Sequence, residues 1–270
     1  GSAGVGFLAG CGIVEVPTHR RPRVAVIATG SELVPPSEVP GPGKIRNSNS
    51  YAMAACAREA GAEAVMLPIV QDTFEALRDA VILRIVEHTK EALAAAVSAA
   101  ADAYDFVVTS GGASNGDFDF IKPVVAELGE LMMTTVNIRP GKAQTFGMVE
   151  GTPVFGLPGN PAAAYVGFQL LIRPALRTMQ GYRFMDHPVV KARLTADEKN
   201  RDPRRIYLRA NLTRTAEGYE VTPAKNQSSG LFGPIQKTNC LAVMPEGTAP
   251  QPAGSIVDCL LLDIPEEVVL

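Results

Sequence analysis

Across its first two-thirds this chain alternates short apolar runs with helix-patterned stretches, and no other feature constrains its fold as strongly. Residues 23–28 (RVAVIA), 64–70, 106–109 and 153–157 read as strands. Residues 49–60, 73 to about 101, 121–128 and 161–179 read as helices, with 130–137 extended. Short continuous apolar runs suit strands buried on both faces, and intervening helices are the crossovers that parallel strands need. The fold class is therefore α/β, with a mostly parallel sheet covered on both sides. Past Gly181 the pattern changes. Residues 189–194, 206–213, 219–223, 240–244 and 256–262 are short strand runs separated by turn dipeptides such as Glu217-Gly218 and Glu246-Gly247. They predict a small, mainly antiparallel β domain, a sandwich or a barrel. The expected organisation is a leader at 1–20, an α/β domain at 21–181 and a β domain at 182–270.

Ligands of an open parallel sheet sit beyond the carboxyl ends of its strands, which directs attention to four loops. The first is Thr29-Gly30-Ser31-Glu32. The second runs from Ser110-Gly111-Gly112 through Ser114, Gly116 and Asp117 to Asp119. Its glycines let backbone approach a ligand closely, and its two carboxylates suit Mg²⁺, a hard cation. The plainer alternative makes Asp119 the N-cap of the helix that follows. The third loop, Arg139-Pro140-Gly141-Lys142, carries two cations suited to a phosphate or another oxyanion, or simply to solvent. The fourth, Gly156-Leu157-Pro158-Gly159-Asn160-Pro161, joins a strand to a long helix. Asn160 is a favoured N-cap and Pro161 suits the first helical position. The amides of Ala162 to Ala164 are then expected to face an oxyanion at the helix N-terminus, or only to complete an ordinary connection.

Composition narrows the function. Lys and Arg number 25 against 28 Asp and Glu, a net charge of −3, which disfavours nucleic acid as the main partner. Cys11, Cys56, Cys240 and Cys259 form no metal-type or disulfide-type spacing and suit a reducing cytoplasm. His19, His88 and His187 are scattered, and no apolar run is long enough for a membrane helix. Gly112-Ala113-Ser114-Asn115-Gly116 fits a serine-hydrolase nucleophile elbow, but it does not directly follow the strand, and only His187 lies downstream. Neither a P-loop nor a dinucleotide fingerprint is present.

The four loops in this order, followed by a β domain, resemble the MoeA family of molybdopterin molybdenumtransferases, related to the E domain of gephyrin. The residues that carry the resemblance are Thr29-Gly30-Ser31-Glu32, Ser110-Gly111-Gly112 with Gly116-Asp117 and Asp119, Pro140-Gly141-Lys142, and Leu157-Pro158-Gly159-Asn160-Pro161. The stretch 239–247 (NCLAVMPEG) resembles the family's last domain, a small β barrel. The resemblance implies a three-layer molybdopterin-binding domain and a Mg²⁺-dependent insertion of molybdate into adenylylated molybdopterin, with release of AMP. It implies catalytic roles for Asp117, Asp119 and Lys142, the two aspartates holding Mg²⁺. Substrate contacts are implied for Thr29, Gly30, Glu32, Asn47, Ser110, Gly111, Gly112, Ser114, Arg139, Pro158, Gly159 and Asn160. A cytoplasmic homodimer is expected, with molybdopterin adenylyltransferase and molybdoenzymes as partners, and neither nucleic acid nor membrane.

Three positions depart from the family pattern, and so does the length. Asn47-Ser48-Asn49 stands where the family commonly has an acidic first residue, so Asn47 lacks an anionic role. Ala163 replaces a frequent serine. The helical region between Thr73 and Tyr104 is longer than the family needs. Family members also carry two further domains ahead of this region, so the chain is expected to be the C-terminal part of a longer protein. An adenylyltransferase and a non-catalytic, peptide-binding scaffold of the gephyrin kind are the alternatives.

Overall fold

Strand β1 (Arg23–Ala28) shows why the sheet lies in the middle of the molecule. Val24 and Val26 pack into one core, Ala25 and Ile27 into another, and all four are fully buried. With side chains alternating across the pleat, both faces must be apolar, which only a sheet covered on both sides allows. The computed structural model describes residues 2–71, 73–86, 104–111 and 120–262. The end of the long helical stretch, at 87–103, and the loop at 112–119 lie outside the described residues.

Helix α1 (Ser2–Gly10) buries none of its residues. After β1 come two short strands, β2 (Leu33–Val34) and β3 (Ile45–Arg46), then α2 (Asn49–Glu59), β4 (Glu63–Met66), α3 (Phe74–Val86) and β5 (Phe106–Ser110). Helix α4 (Ile121–Leu128) leads to β6 (Glu130–Thr135), β7 (Ile138–Arg139), β8 (Ala143–Val149) and β9 (Thr152–Leu157). The central sheet has the order β4-β1-β5-β9-β8-β6. Its first four strands are parallel, while β8 runs antiparallel to both β9 and β6. β4 is shorter than the run 64–70 suggests, because Pro68 cannot donate to a ladder. Thr29 and Val70 still form an isolated bridge beyond it.

Helix α2 packs on one face of the sheet. It shares that core with the helical rod formed by α5 (Pro161–Gly167), a π-helical turn at Phe168–Ile172 and α6 (Arg173–Met179). Helices α3 and α4 cover the other face, where Leu77, Ile121, Val124 and Val125 are fully buried. Phe106 and Phe155 stack with ring centroids 5.3 Å apart, and burying each such side chain contributes about 1.5–3 kcal/mol.

The second unit is a closed five-stranded barrel. Its strands are β10 (Val189–Leu194), β11 (Arg205–Thr215), β12 (Gly218–Pro223), β13 (Cys240–Met244) and β14 (Ile256–Leu261). The circuit runs β11-β12-β10-β14-β13 and back to β11, and only the β10–β12 pair in it is parallel. Closure removes exposed edges. Ile206, Leu208 and Ala210 point into the barrel core, so Tyr207 and Arg209 alternate outward toward the α/β unit. There Tyr207, Leu241 and Val243 form a seam with Ile138 and Val166. Strand β7 pairs in parallel with the start of β11, so backbone hydrogen bonds also join the two units.

Candidate active site

The loops leaving the carboxyl ends of β1, β5 and β9 meet the outer face of β11 across a cavity of about 1100 Å³. Of the residues the sequence singles out, it brings Thr29, Glu32, Gly111, Arg139, Lys142, Pro158, Gly159 and Asn160 together along the wall. Gly112, Ser114, Asp117 and Asp119 lie outside the described residues. Gly30 donates its amide to the Val70 carbonyl (3.2 Å), and Ser110 is almost fully buried; neither lines the cavity. Asn47 does not line it either. Its Nδ2 donates to Ser50 Oγ (3.0 Å) and its Oδ1 accepts from the Ser50 amide (3.2 Å), so the side chain secures the start of α2.

Close backbone approach explains the glycine after β5. Gly111 has φ of +99°, and a Cβ there would lie 2.2 Å from the Thr29 carbonyl oxygen. No side chain fits between these two loops. Thr29 itself is buried, with Oγ1 lacking a hydrogen-bond partner.

The loop before α5 differs from the expectation of three open amides. Ala162 donates to the Ser229 carbonyl of the barrel unit (2.9 Å), and Ala164 donates to the Asn160 carbonyl (3.0 Å). The physical reason is the docked barrel, which supplies an acceptor where the chain alone leaves an orphan donor. Among the described residues, the Ala163, Asn160 and Gly159 amides donate to no acceptor.

Arg139 is not a free clamp. Its Nη1 donates to Asp202 Oδ2 (2.8 Å), which belongs to a barrel-side loop. Arg204 grips the same carboxylate through Nε and Nη2, and its Nη1 reaches the Ile138 carbonyl (3.2 Å). Hydrogen bonds from Arg204, and then from Arg139, hold Asp202 far below the usual carboxylate range, against the opposing effect of burial. Arg204 spends three of its five donors in these bonds, and Arg139, half-exposed, keeps further donors for the cavity. Lys142 lines the cavity, exposed and without a partner among the described residues.

The residue that sequence reasoning missed is Arg209. It is 2% exposed, yet among the described residues it pairs with no carboxylate. Its Nη2 donates to the Ser228 carbonyl (3.2 Å), while Nε is buried with no partner. Burial lowers its pKa, but a guanidinium stays charged at neutral pH. Gln227 fixes its main chain from both sides, donating to the Arg209 carbonyl (2.9 Å) and accepting from its amide (3.2 Å). The available signal was an arginine at an outward position of an otherwise apolar strand, RIYLRA. Among the described residues, cations outnumber carboxylates around the cavity, so it suits a multiply charged oxyanion.

His187, the histidine a hydrolase would need, lines a different cavity of about 660 Å³ at the seam between the units. Its Nε2 faces Gln169 Oε1 at 3.0 Å. Burial first, then the nearby Arg173, lower its pKa to about 4.

Comparison with known proteins bears on the same two units. Residues 25–88 and 81–178 match the family described as a probable molybdopterin binding domain. Residues 191–262 match the MoeA C-terminal region, domain IV. A molybdopterin molybdenumtransferase of Staphylococcus aureus (strain COL) is 35% identical over 269 residues, covering 98% of this chain and 60% of the relative. The enzyme of the same description from Staphylococcus epidermidis (strain RP62A) is 34% identical over 270 residues, covering 98% and 61%. The crystal structure of a molybdopterin biosynthesis MoeA protein from Pyrococcus horikosii superposes with a TM-score of 0.76 at 31% identity, covering 97% of this chain and 59% of that one. The chain thus spans about three-fifths of the length of these relatives.

Proposed function

From the premise that this chain belongs to the MoeA family, we propose that it inserts molybdate into adenylylated molybdopterin and releases AMP. The observation that carries the reading is Arg209, a buried guanidinium that among the described residues has no carboxylate partner, facing a cavity also lined by Lys142 and the Asn160 loop. Molybdate is a tetrahedral dianion, and it offsets the desolvation of such a group better than water does. The loops after β1, β5 and β9 suit the pyrophosphate of the second substrate, because Gly111 and Gly159 leave backbone exposed there.

In the proposed reaction, water or a molybdate oxygen attacks the adenylyl phosphorus. The bond from that phosphorus to the pterin phosphate breaks, giving AMP directly when water attacks, or an adenylyl–molybdate whose bridging oxygen leaves with AMP when the dithiolene sulfurs bind molybdenum. On the water route one molybdate oxygen leaves as water with the two thiol protons. Arg139, Lys142 and Arg209 hold the oxyanions and stabilise the developing charge, and the docked barrel limits access of bulk water. Asp117 and Asp119 form a carboxylate pair suited to Mg²⁺, which would neutralise pyrophosphate charge. Among the described residues no group of three metal-binding side chains exists, so the assignment rests on that pair alone.

The barrel, matched to the MoeA C-terminal region, supplies Arg209 and so favours this reaction over adenylyl transfer. The reading extends to a cytoplasmic homodimer that takes substrate from the adenylyltransferase and serves molybdoenzymes. Among the described residues no helix is long and apolar enough to cross a membrane, and the four cysteines are free thiols. The test is AMP release from adenylylated molybdopterin, with a full-length relative as positive control. Release that requires both molybdate and Mg²⁺ is expected; release indifferent to molybdate contradicts the proposal.

A further inference from the structure

We propose that Asn49, outside the cavity wall, is a positioning residue that turns the Asn160 amide toward the bound oxyanion. This rests on the reading of the cavity given above. Asn49 is the first residue of α2, and its Nδ2 spends both hydrogens on the loops behind the cavity. One goes to Ser110 Oγ (2.7 Å) and the other to the Gly159 carbonyl (2.9 Å). A carbonyl can only accept, so the atom facing it must be the amide nitrogen.

The second bond has a consequence one residue on. The Gly159–Asn160 peptide is trans and planar, which places its C=O and N–H on opposite sides. Holding the carbonyl against α2 therefore aims the Asn160 N–H away from α2. Gly159 and Asn160 both line the cavity, and among the described residues that N–H has no acceptor. The side-chain space at Gly159 is open, since a Cβ there would meet only the Gly111 Cα, at 3.7 Å, and a glycine before the peptide accepts either of its orientations. Asn49 is the contact that resists rotation, and it does so although its own Oδ1 is buried without a partner.

An isosteric change discriminates this role from simple bracing. A carboxylate at position 49 cannot donate to the Gly159 carbonyl; it repels that oxygen and accepts from an N–H instead. Asn49→Asp thus favours the flipped peptide, with the Asn160 N–H turned to α2, whereas Asn49→Ala only frees it. A carboxylate at position 49 also repels the oxyanion through space, so the discriminating readout is the Asn160 amide itself: bracing alone leaves that amide responding to molybdate in Asn49→Asp, and the flipped peptide does not.

The experiment titrates molybdate into the wild-type chain and both variants by calorimetry. The Asn160 amide is followed in ¹⁵N–¹H spectra, and thermal unfolding checks that each variant is folded. Binding weaker by about tenfold in Asn49→Ala and by about a hundredfold in Asn49→Asp is expected, the range for losing one hydrogen bond to a charged ligand. The Asn160 cross-peak should shift with molybdate in the wild type and not in Asn49→Asp. Wild-type affinity in Asn49→Asp, an Asn160 amide that still responds to molybdate there, or weaker binding in Asn49→Ala than in Asn49→Asp, overturns the inference alone. Failure of the wild type to bind molybdate overturns it together with the reading of the cavity. If Asn49→Asp does not fold, unchanged affinity in Asn49→Ala is the overturning result.

Discussion

Burying a guanidinium without a carboxylate costs several kcal/mol of desolvation, and among the described residues Arg209 stands in that position, with one bond to the Ser228 carbonyl and an unpartnered Nε. Such a residue is kept for a ligand rather than for stability, and this yields a test with two opposite readouts. Arg209→Met keeps most of the volume and removes the charge. Thermal unfolding should show an unchanged or higher midpoint, while molybdate affinity falls by at least about a hundredfold. A fall in both together would mean that Arg209 serves packing. At this scale sequence reading picked out cavity-lining residues where they belong to a local loop motif, as with Gly111, Arg139, Lys142, Gly159 and Asn160. It failed where function depends on the partner a side chain finds. Asn47 and Asn49 lie two residues apart on the same turn; one closes on Ser50 and the other reaches two distant loops. No local pattern distinguishes them.

The helix 161–179 and the barrel strands meet at the seam around His187. Its pKa is lowered to about 4 from an ordinary 6.5, so the folded state favours the neutral ring. The resulting stability is fully present above about pH 6.5 and is lost as pH falls from there through about 4. A displacement of that size corresponds to about 3 kcal/mol. Replacing His187 by Gln should make denaturant unfolding less pH-dependent over that interval by about this amount, relative to the wild type. Parallel pH profiles for the two proteins would show that His187 does not titrate in the seam. Most elements were legible, because 3.6-residue and alternating periodicities survive in any sequence that buries one face. Strand β8 was not read, since Gln144 and Thr145 are polar and yet fully buried, which breaks its apolar run. The π-helical turn at Phe168–Ile172 leaves no compositional trace, although it places Gln169 against His187.

At the scale of the whole molecule, a chain with a net charge of −3 brings Arg139, Lys142, Arg204 and Arg209 to one interdomain cavity. Neither unit makes that cavity alone. The α/β unit contributes the backbone loops and Lys142, the barrel contributes Arg209, and Asp202 with Arg139 ties the two across the gap. The α/β class and a small β domain were readable from the sequence. The pattern left a sandwich or a barrel open and the resemblance gave the barrel; the docking that brings residues 209 and 160 to one cavity was not readable, because it depends on pairings between distant segments. The most direct measurement is anomalous diffraction at the molybdenum edge from crystals soaked in molybdate. The predicted result is a molybdenum peak in that cavity, placed so that molybdate oxygens lie within hydrogen-bonding distance of the Arg209 guanidinium and the Asn160 amide. A molybdenum peak elsewhere, with that cavity empty, would contradict the account.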